Sequence, residues 1–231
     1  MKGAIQMSNL ENYMKRQAIF CEQNDSISKN LYSEYGVKRG LRDEKGQGVL
    51  TGLTNISDIK AFEYHDGVKS PCDGELSYRG YNIKDLVTGS KGKRFVFEEG
   101  AYLLLFGELP TDTQLMEFQG RLSDCMELPT NFTRDVIMKA PTADIMGSMT
   151  RSILTLGSYD KEKESLEIPN VLRQSMQLIA VFPMLAVYAY HAYCHYEKNE
   201  SMYIHRPEKD LSIAENFLRL LRPDTKFTEL E

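Results

Sequence analysis

The sequence has no uninterrupted apolar run of the length that a membrane-crossing helix needs, about 18 residues. Its longest apolar stretch, 178–190, is shorter and contains Pro183. The first 15 residues, MKGAIQMSNLENYMK, contain no continuous apolar segment and therefore do not resemble a secretory signal. From these two absences we predict a cytoplasmic protein with no membrane partner.

The sequence also lacks a long block of basic residues. It has 28 Lys and Arg against 33 Asp and Glu, a formal charge of −5, and the two signs are interspersed. Because nucleic-acid binding depends on clustered neutralisation of phosphates, we expect no nucleic-acid partner. A local arginine cluster remains compatible with an anionic small molecule.

Cysteine is scarce, and no two cysteines form a Cys-x-x-Cys pair. The four are Cys21, Cys72, Cys125 and Cys194. This wide spacing, together with the absence of a secretory signal, predicts reduced structural thiols rather than disulfides.

Standard motifs for nucleotide binding and nucleophilic catalysis are absent, since the sequence has neither GxGxxG, GxxxxGK nor GxSxG. The four histidines offer one metal candidate, because His191 and His195 share a helix face with Cys194 between them. No further ligand is evident, so we interpret this segment as a core-facing helix without a metal. His65 and His205 lie in polar segments and are interpreted as solvent-exposed.

What the sequence does contain is typical of a globular protein: 231 residues, of which 42% are hydrophobic and 26% charged. Apolar periodicity predicts a mainly helical chain, with helices at about 10–22, 27–35, 97–106, 111–126, 134–139, 142–156, 171–196 and 211–221. Glycines and turn residues between about 48 and 81 predict a small antiparallel β-element near the N-terminus. The predicted fold class is therefore mainly α.

Local features sharpen this prediction. The dipeptides 66–67 and 73–74 are both Asp-Gly, which is good turn chemistry. The helix at 97–106 is apolar on most sides and is expected to be well buried. The paired acids 98–99 at its start are explained by the helix dipole without any catalytic role. Pro183 is expected to kink or split the helix at 171–196.

Two segments leave alternatives open. The helix at 142–156 mixes apolar residues with Gly147, Ser148 and Ser152, which favours either tight packing inside the subunit or a subunit interface. Basic residues on a glycine-rich loop, namely Lys38, Arg39, Arg42 and Lys45, favour either a phosphate-binding loop or a solvated loop.

Four segments resemble, in order, conserved blocks of the citrate synthase family. Residues 74–83, GELSYRGYNI, resemble the signature GxLxYRGYxI, and residues 97–111, FEEGAYLLLFGELPT, resemble the block that follows it. Residues 178–183, LIAVFP, and 214–218, AENFL, resemble two later helices of the family. The sequence therefore resembles the N-terminal part of a bacterial-type citrate or 2-methylcitrate synthase.

The resemblance implies a multi-helical, two-domain homodimer that condenses acetyl-CoA with oxaloacetate and water to citrate and free CoA, a step of the tricarboxylic acid cycle. It implies no separate cofactor, because acetyl-CoA is a substrate. Residues 1–231 correspond to the N-terminal part of the large, dimer-forming domain, with a β-rich segment at about 48–81; the small catalytic domain is not present. We also interpret 224–231 as a helix start that the sequence does not continue.

The family's catalytic groups, two histidines and a carboxylate base, come from blocks that this sequence lacks. We therefore assign no catalytic residue and expect the chain alone to be inactive. The resemblance does imply that the helix at 142–156 forms the dimer interface and that Arg39 and Arg42 contact CoA phosphate. The alternatives are a non-catalytic helical module for dimerisation or CoA binding, and part of a 2-methylcitrate synthase.

Overall fold

The structure is a computed structural model that describes residues 12–14, 17–19, 21–23, 27–38, 40–43, 46–49, 51–89, 91–228 and 230–231. The chain forms two compact units, Met1–Thr54 and Asn55–Glu231.

The described part of the first unit begins with helical residues and ends with irregular ones. The described parts of 12–23 are helical, and helix α1 spans Lys29–Glu34, shorter than the predicted 27–35. Gly36 follows α1 with a φ of 62°, the left-handed conformation expected of a glycine that ends a helix. The only strand-like pairing among the described residues of this unit is one bridge between Arg42 and Gly48, so the sheet begins later than the predicted residue 48.

The second unit opens with a three-stranded antiparallel sheet in the order β1-β2-β3. Its strands are β1 (Ser57–His65), β2 (Val68–Tyr78) and β3 (Tyr81–Asn82). The predicted turn at 66–67 is confirmed, since Asp66 and Gly67 have positive φ and join β1 to β2. The predicted turn at 73–74 is wrong. Those residues lie inside β2, where residues 72–74 stand opposite the single residue Ala61 of β1, so the extra residues form a bulge in β2.

Helices make up most of the remainder of this unit. They are α2 (Ile83–Gly89), α3 (Val96–Phe106), α4 (Asp112–Asp124), α5 (Ile145–Gly157), α6 (Ile168–Lys198) and α7 (Ile213–Leu221). The predicted short helix at 134–139 is a π-helical turn, Thr133–Ile137. After α7 the described residues form no helix, although Thr228 and Glu231 exchange the hydrogen bonds of a capping box.

The core lies where α6 packs against α4, α5 and α7. Its fully buried apolar side chains include Phe132, Leu122, Leu185 and Leu220. The expectation that the helix at 97–106 is well buried is wrong for most of α3. Leu103 is fully buried, but the two phenylalanines at the ends of α3, 97 and 106, are about half exposed, although Phe106 contacts the Phe118 ring of α4.

Helix α6 is one continuous helix of 31 residues that passes through the buried Pro183 without splitting. Its length and the mean hydropathy of its most apolar 18-residue window, 1.3, also match those of a membrane-crossing helix. An apolar helix is either a core helix or a membrane span. The contacts of α6 with three other helices and its buried, hydrogen-bonded His191 make it the central core helix of this unit.

Candidate functional site

The basic loop predicted to contact phosphate lies in the first unit. Arg42 is exposed, and its Nη1 donates a hydrogen bond to the carbonyl oxygen of Gly46 at 2.8 Å. The side chain of Asp43 accepts a hydrogen bond from the backbone N–H of Gln47, also at 2.8 Å. The loop is thus a closed turn with the Arg42 guanidinium against its own backbone. Arg39 and Lys45 lie outside the described residues.

This loop borders a shallow concavity of about 350 Å³, lined by Tyr32, Ser33, Gly36, Val37, Lys38, Asp43 and Gln47. A guanidinium has five N–H donors, and the bond to Gly46 uses one of them. Arg42 can therefore also bind an anion, while the Asp43 carboxylate in the lining opposes one. The loop geometry is compatible with a phosphate contact from Arg42.

The four histidines do not form a catalytic or metal set. His191 Nε2 lies 3.1 Å from the carbonyl oxygen of Leu220, and burial lowers the pKa of this histidine. His195 Nδ1 lies 2.8 Å from the carbonyl oxygen of Glu200, so the two rings have different partners. Among the described residues, no three His, Cys, Asp or Glu side chains are placed to hold a metal ion.

The two remaining histidines differ in exposure. His65 is exposed on β1, as expected, with Nε2 at 3.0 Å from a Glu63 carboxylate oxygen. His205 was expected to be exposed, but it is half-buried and stacks on Tyr203, and its Nε2 is buried without a partner. The reason is that the polar segment after α6 folds back onto the helix, where Tyr188 donates a hydrogen bond to the carbonyl oxygen of His205 at 2.5 Å.

The densest polar cluster surrounds the start of α7. The Glu98 side chain is 1% exposed, and its Oε1 accepts a hydrogen bond from the backbone N–H of Ile213 at 2.7 Å. Its Oε2 is buried with no partner. Burial raises the pKa of Glu98, although backbone donors and Arg94 oppose the shift. This carboxyl group therefore caps the first turn of α7 from another helix.

An ion pair with a bifurcated hydrogen bond reinforces the same position. Arg94 Nε lies 2.9 and 3.1 Å from the two carboxylate oxygens of Glu215, and Arg94 Nη2 donates to the carbonyl oxygen of Asp210 at 3.0 Å. Glu215 also accepts from the backbone N–H of Ser212 at 2.6 Å, which completes a capping box. Although burial favours a higher value, the bonds from Arg94 and Ser212 hold the pKa of Glu215 below its ordinary range.

Asn216 holds the loop before α7. The side chain is fully buried, its Oδ1 accepts from the backbone N–H of Glu208 at 2.9 Å, and its Nδ2 donates to the carbonyl oxygen of Glu208 at 2.9 Å. Nδ2 also lies 3.3 Å from the carbonyl oxygen of Leu211. The AENFL segment thus supplies two residues, Glu215 and Asn216, that position the loop and the helix.

The arginine of the YRGY segment, like Glu215 and Asn216, positions one part of the fold against another. Arg79 has a φ of 48°, uncommon for a residue with a side chain. Its Nη2 donates to the carbonyl oxygen of Leu104 at 2.9 Å, in the last turn of α3. A cation at the C-terminal end of a helix is favourable. Arg79 therefore ties the β2–β3 turn to α3.

Sequence reasoning missed these positioning residues to different degrees. Ser212 and Glu215 have the S-x-x-E spacing of a capping box, which is readable locally. Nothing near Glu98 indicates its partner, because Ile213 lies 115 positions away. The burial of Glu98 is therefore visible only in the folded chain.

Helix α5 replaces the predicted 142–156, since Asp144 caps it and it begins at Ile145. Its two serines and most of its apolar residues face the core, and two apolar residues face away from it. Ser148 and Ser152 are buried inside the unit, whereas Met146 and Leu154 are 72% and 73% exposed. The small residues therefore serve packing within the chain, and the exposed apolar face is the one available to a partner.

Comparisons with known proteins agree with one another. A family model described as "Citrate synthase, C-terminal domain" matches residues 41–231. The citrate synthase of Saccharolobus solfataricus is 30% identical over 182 residues, which are 79% of this chain and 41% of that protein. The 2-methylcitrate synthase of Shewanella oneidensis is 33% identical over 147 residues, 63% of this chain and 36% of that protein.

Comparison with solved structures agrees with these sequence comparisons. The crystal structure of citrate synthase from Pyrobaculum aerophilum superposes with a TM-score of 0.60 at 26% identity, covering 78% of this chain and 42% of that one. The chain thus spans about two fifths of the length of the relatives it matches. Because the family model covers most of the sequence and the helical fold agrees with it, this chain belongs to the citrate synthase family.

Proposed function

We propose that this chain supplies part of the large, dimer-forming domain of a cytoplasmic acyltransferase of the citrate synthase type. The reaction of such an enzyme joins acetyl-CoA, oxaloacetate and water to give citrate and CoA, in the tricarboxylic acid cycle. The observation that carries the proposal is the family match over residues 41–231. The positioning of α7 by residues of the family-like blocks, Glu98, Glu215 and Asn216, supports it.

We also propose that the chain by itself has no turnover. The condensation needs a carboxylate base and two histidines that polarise the reacting carbonyl groups. Here His191 and His195 are bonded to backbone carbonyl oxygens instead. Since each missing acid–base group costs about a hundredfold to ten-thousandfold in rate, we expect no measurable reaction.

The test is release of the CoA thiol from acetyl-CoA and oxaloacetate by the purified chain, followed with a thiol reagent. A complete citrate synthase serves as the positive control, and a second series uses propionyl-CoA, because the relatives include 2-methylcitrate synthases. A rate equal to the enzyme-free blank in both series is expected. Catalytic release of CoA in either series would contradict the proposed inactivity and identify the preferred acyl group.

The exposed face of α5 favours a second candidate function, dimerisation. Met146 and Leu154 are eight positions apart on one side of the helix, and each is about 70% exposed. Exposed apolar faces of this kind are typical of subunit interfaces. We expect Leu154→Glu to lower the average mass of the chain in sedimentation equilibrium, because it removes association through α5. Met116→Glu, an equally exposed methionine on α4, is the matched control and should leave the mass unchanged.

CoA binding is the other candidate function of such a module, and we propose that Arg39 and Arg42 contact the CoA phosphate groups. The exposed Arg42 guanidinium supports it. Since a charge-assisted hydrogen bond contributes about 1.5–3 kcal/mol, Arg42→Ala should weaken CoA binding about tenfold or more in calorimetry. Lys91→Ala, an exposed cation outside the loop, is the control. Equal affinities of the Arg42→Ala variant and the parent for CoA would exclude Arg42 as a contact.

A further inference from the structure

The outer side of β1 is an open strand edge as far as the described residues show. Strand β2 pairs with one side of β1, and no strand in the described part of the chain pairs with the other side. The side chains of β1 are exposed on both faces, including Ile59 at 71% and Tyr64 at 68%. An exposed apolar edge strand is a template for another strand.

The backbone directions along β1 identify which residues are open to a partner. The backbone N–H of Arg79 donates to the carbonyl oxygen of Ile56, so Lys60, four residues on, faces β2 and Ile59 faces outward. Beyond the irregularity, the two-residue turn makes His65 and Val68 a bonded pair, so Tyr64 faces outward.

The irregularity between Lys60 and Phe62 therefore determines which residues of β1 face the open edge. In a regular strand, residues 59 and 64 point in opposite directions because alternate residues face opposite edges. The register shift places the amide and carbonyl groups of both Ile59 and Tyr64 on the open edge. A two-fold axis between Ala61 and Phe62 then brings Ile59 of one copy opposite Tyr64 of another.

We propose that two copies of this chain pair through β1, antiparallel, about that axis. The resulting register is self-complementary. Lys60 lies opposite Glu63 of the partner subunit, Asp58 lies opposite His65 of the partner subunit, and Ile59 lies opposite Tyr64 of the partner subunit. A two-fold axis repeats each of these contacts.

The charge pattern selects this register over its neighbours. Moving the axis by half a residue, onto Ala61, places Ile59 opposite a glutamate and Asp58 opposite a tyrosine. It also places residues whose N–H and carbonyl groups face the open edge opposite residues whose groups face β2. The backbone hydrogen bonds between the two copies then cannot form. Moving the axis by a full residue, to the 60–61 midpoint, again sets outward-facing groups against each other but places Asp58 opposite Glu63 of the partner subunit. Of these three registers, the one about the 61–62 midpoint is therefore the one that pairs outward-facing backbone groups and opposite charges together.

The test measures the association constant by sedimentation equilibrium in the Leu154→Glu background, in which the association proposed for α5 is removed. The parent in this background should dimerise reversibly. Lys60→Glu places like charges opposite each other twice, so the association constant should fall about tenfold. The swap Lys60→Glu/Glu63→Lys restores both pairs and should recover the parent value to within about threefold.

The swap also separates association from hairpin stability. Lys60 lies opposite Glu75 within the hairpin, so Lys60→Glu weakens β1 in the single variant and in the swap alike. Recovery in the swap is therefore due to the contact between copies. Asp73→Lys, an exposed charge reversal on β2, is the matched control and should not change association.

A backbone variant tests the edge directly. Ile59→Pro removes an N–H that faces outward and keeps the bonds to β2, so it should abolish association without lowering the thermal midpoint by more than a few degrees. A chain that stays monomeric in the Leu154→Glu background would overturn the proposal. So would association that Lys60→Glu or Ile59→Pro leaves intact, or that the charge swap fails to restore.

Discussion

The start of α7 and the β1–β2 hairpin use charged residues in opposite ways. Around α7, Glu98 and Asn216 are buried and bond to backbone groups far away in sequence. In the hairpin, charged side chains are exposed and bond only to close neighbours, as in the pair Glu63–His65. The contrast indicates that the family-like blocks around α7 contribute to the stability of the unit through buried polar contacts, whereas no described strand pairs with the outer edge of the hairpin.

The largest difference between the two regions is expected at Asn216. Asn216→Ala leaves the backbone N–H and carbonyl groups of Glu208 without their buried partner, which costs about 2–4 kcal/mol of unfolding free energy. Asp73→Ala in the hairpin removes an exposed polar side chain and should cost less than about 0.5 kcal/mol. Urea unfolding measures the loss of unfolding free energy in both variants. Similar losses would show that polar contacts stabilise the two regions equally.

The pH dependence of the unfolding free energy tests the role of Glu98 at the start of α7. Because burial raises its folded pKa above the unfolded value, its contribution to stability is present at acid pH and is lost as pH rises through the folded pKa. Glu98→Gln cannot ionise, so its stability relative to the parent should increase between pH 4 and 8, by on the order of 1 kcal/mol. Parallel pH profiles of the unfolding free energy for the two proteins would show that Glu98 does not titrate in this way.

Substitution of two glycines tests the backbone conformation of the hairpin. Gly67 has a φ of 81° in the turn, whereas Gly74 lies inside β2 with no atom within 4 Å of an added Cβ. Gly67→Ala should therefore cost about 1 kcal/mol, and Gly74→Ala should be close to neutral. Thermal unfolding compares the pair, and a larger loss at Gly74 would contradict the strand assignment of residues 73–74.

The smallest effect concerns two arginine–carboxylate ion pairs. Arg94 and its partner Glu215 are 50% and 26% exposed, whereas Arg134 and Asp135 are 67% and 49% exposed. Arg94→Lys loses the planar two-bond geometry and should cost about 0.5–1 kcal/mol, while Arg134→Lys should cost less because solvent screens that pair. Urea unfolding with replicate error below about 0.2 kcal/mol resolves the difference, and equal costs would show that the Arg94 pair is an ordinary surface pair.

Local chemistry was readable in the sequence where partners are close. The predicted Asp66-Gly67 turn formed, and Thr111 and Gln114, which have the T-x-x-Q spacing of a capping box, form that box. In both cases the bonds join residues at most three positions apart. The expected turn at 73–74 failed because pairing with β1 absorbed those residues in a bulge. The expected burial of α3 failed because an apolar helix is buried only where another element packs against it.

The sequence by itself determined the helical class of the chain, several helix ends and its family, since periodicity, capping residues and ordered signature blocks are properties of short segments. Only the tertiary structure decided that Glu98 caps α7, that Arg79 bonds to the last turn of α3 and that no described strand pairs with the outer edge of β1. Those contacts join residues 25 to 115 positions apart or depend on a register shift. No short segment contains that information, because packing of the whole unit selects which distant groups meet.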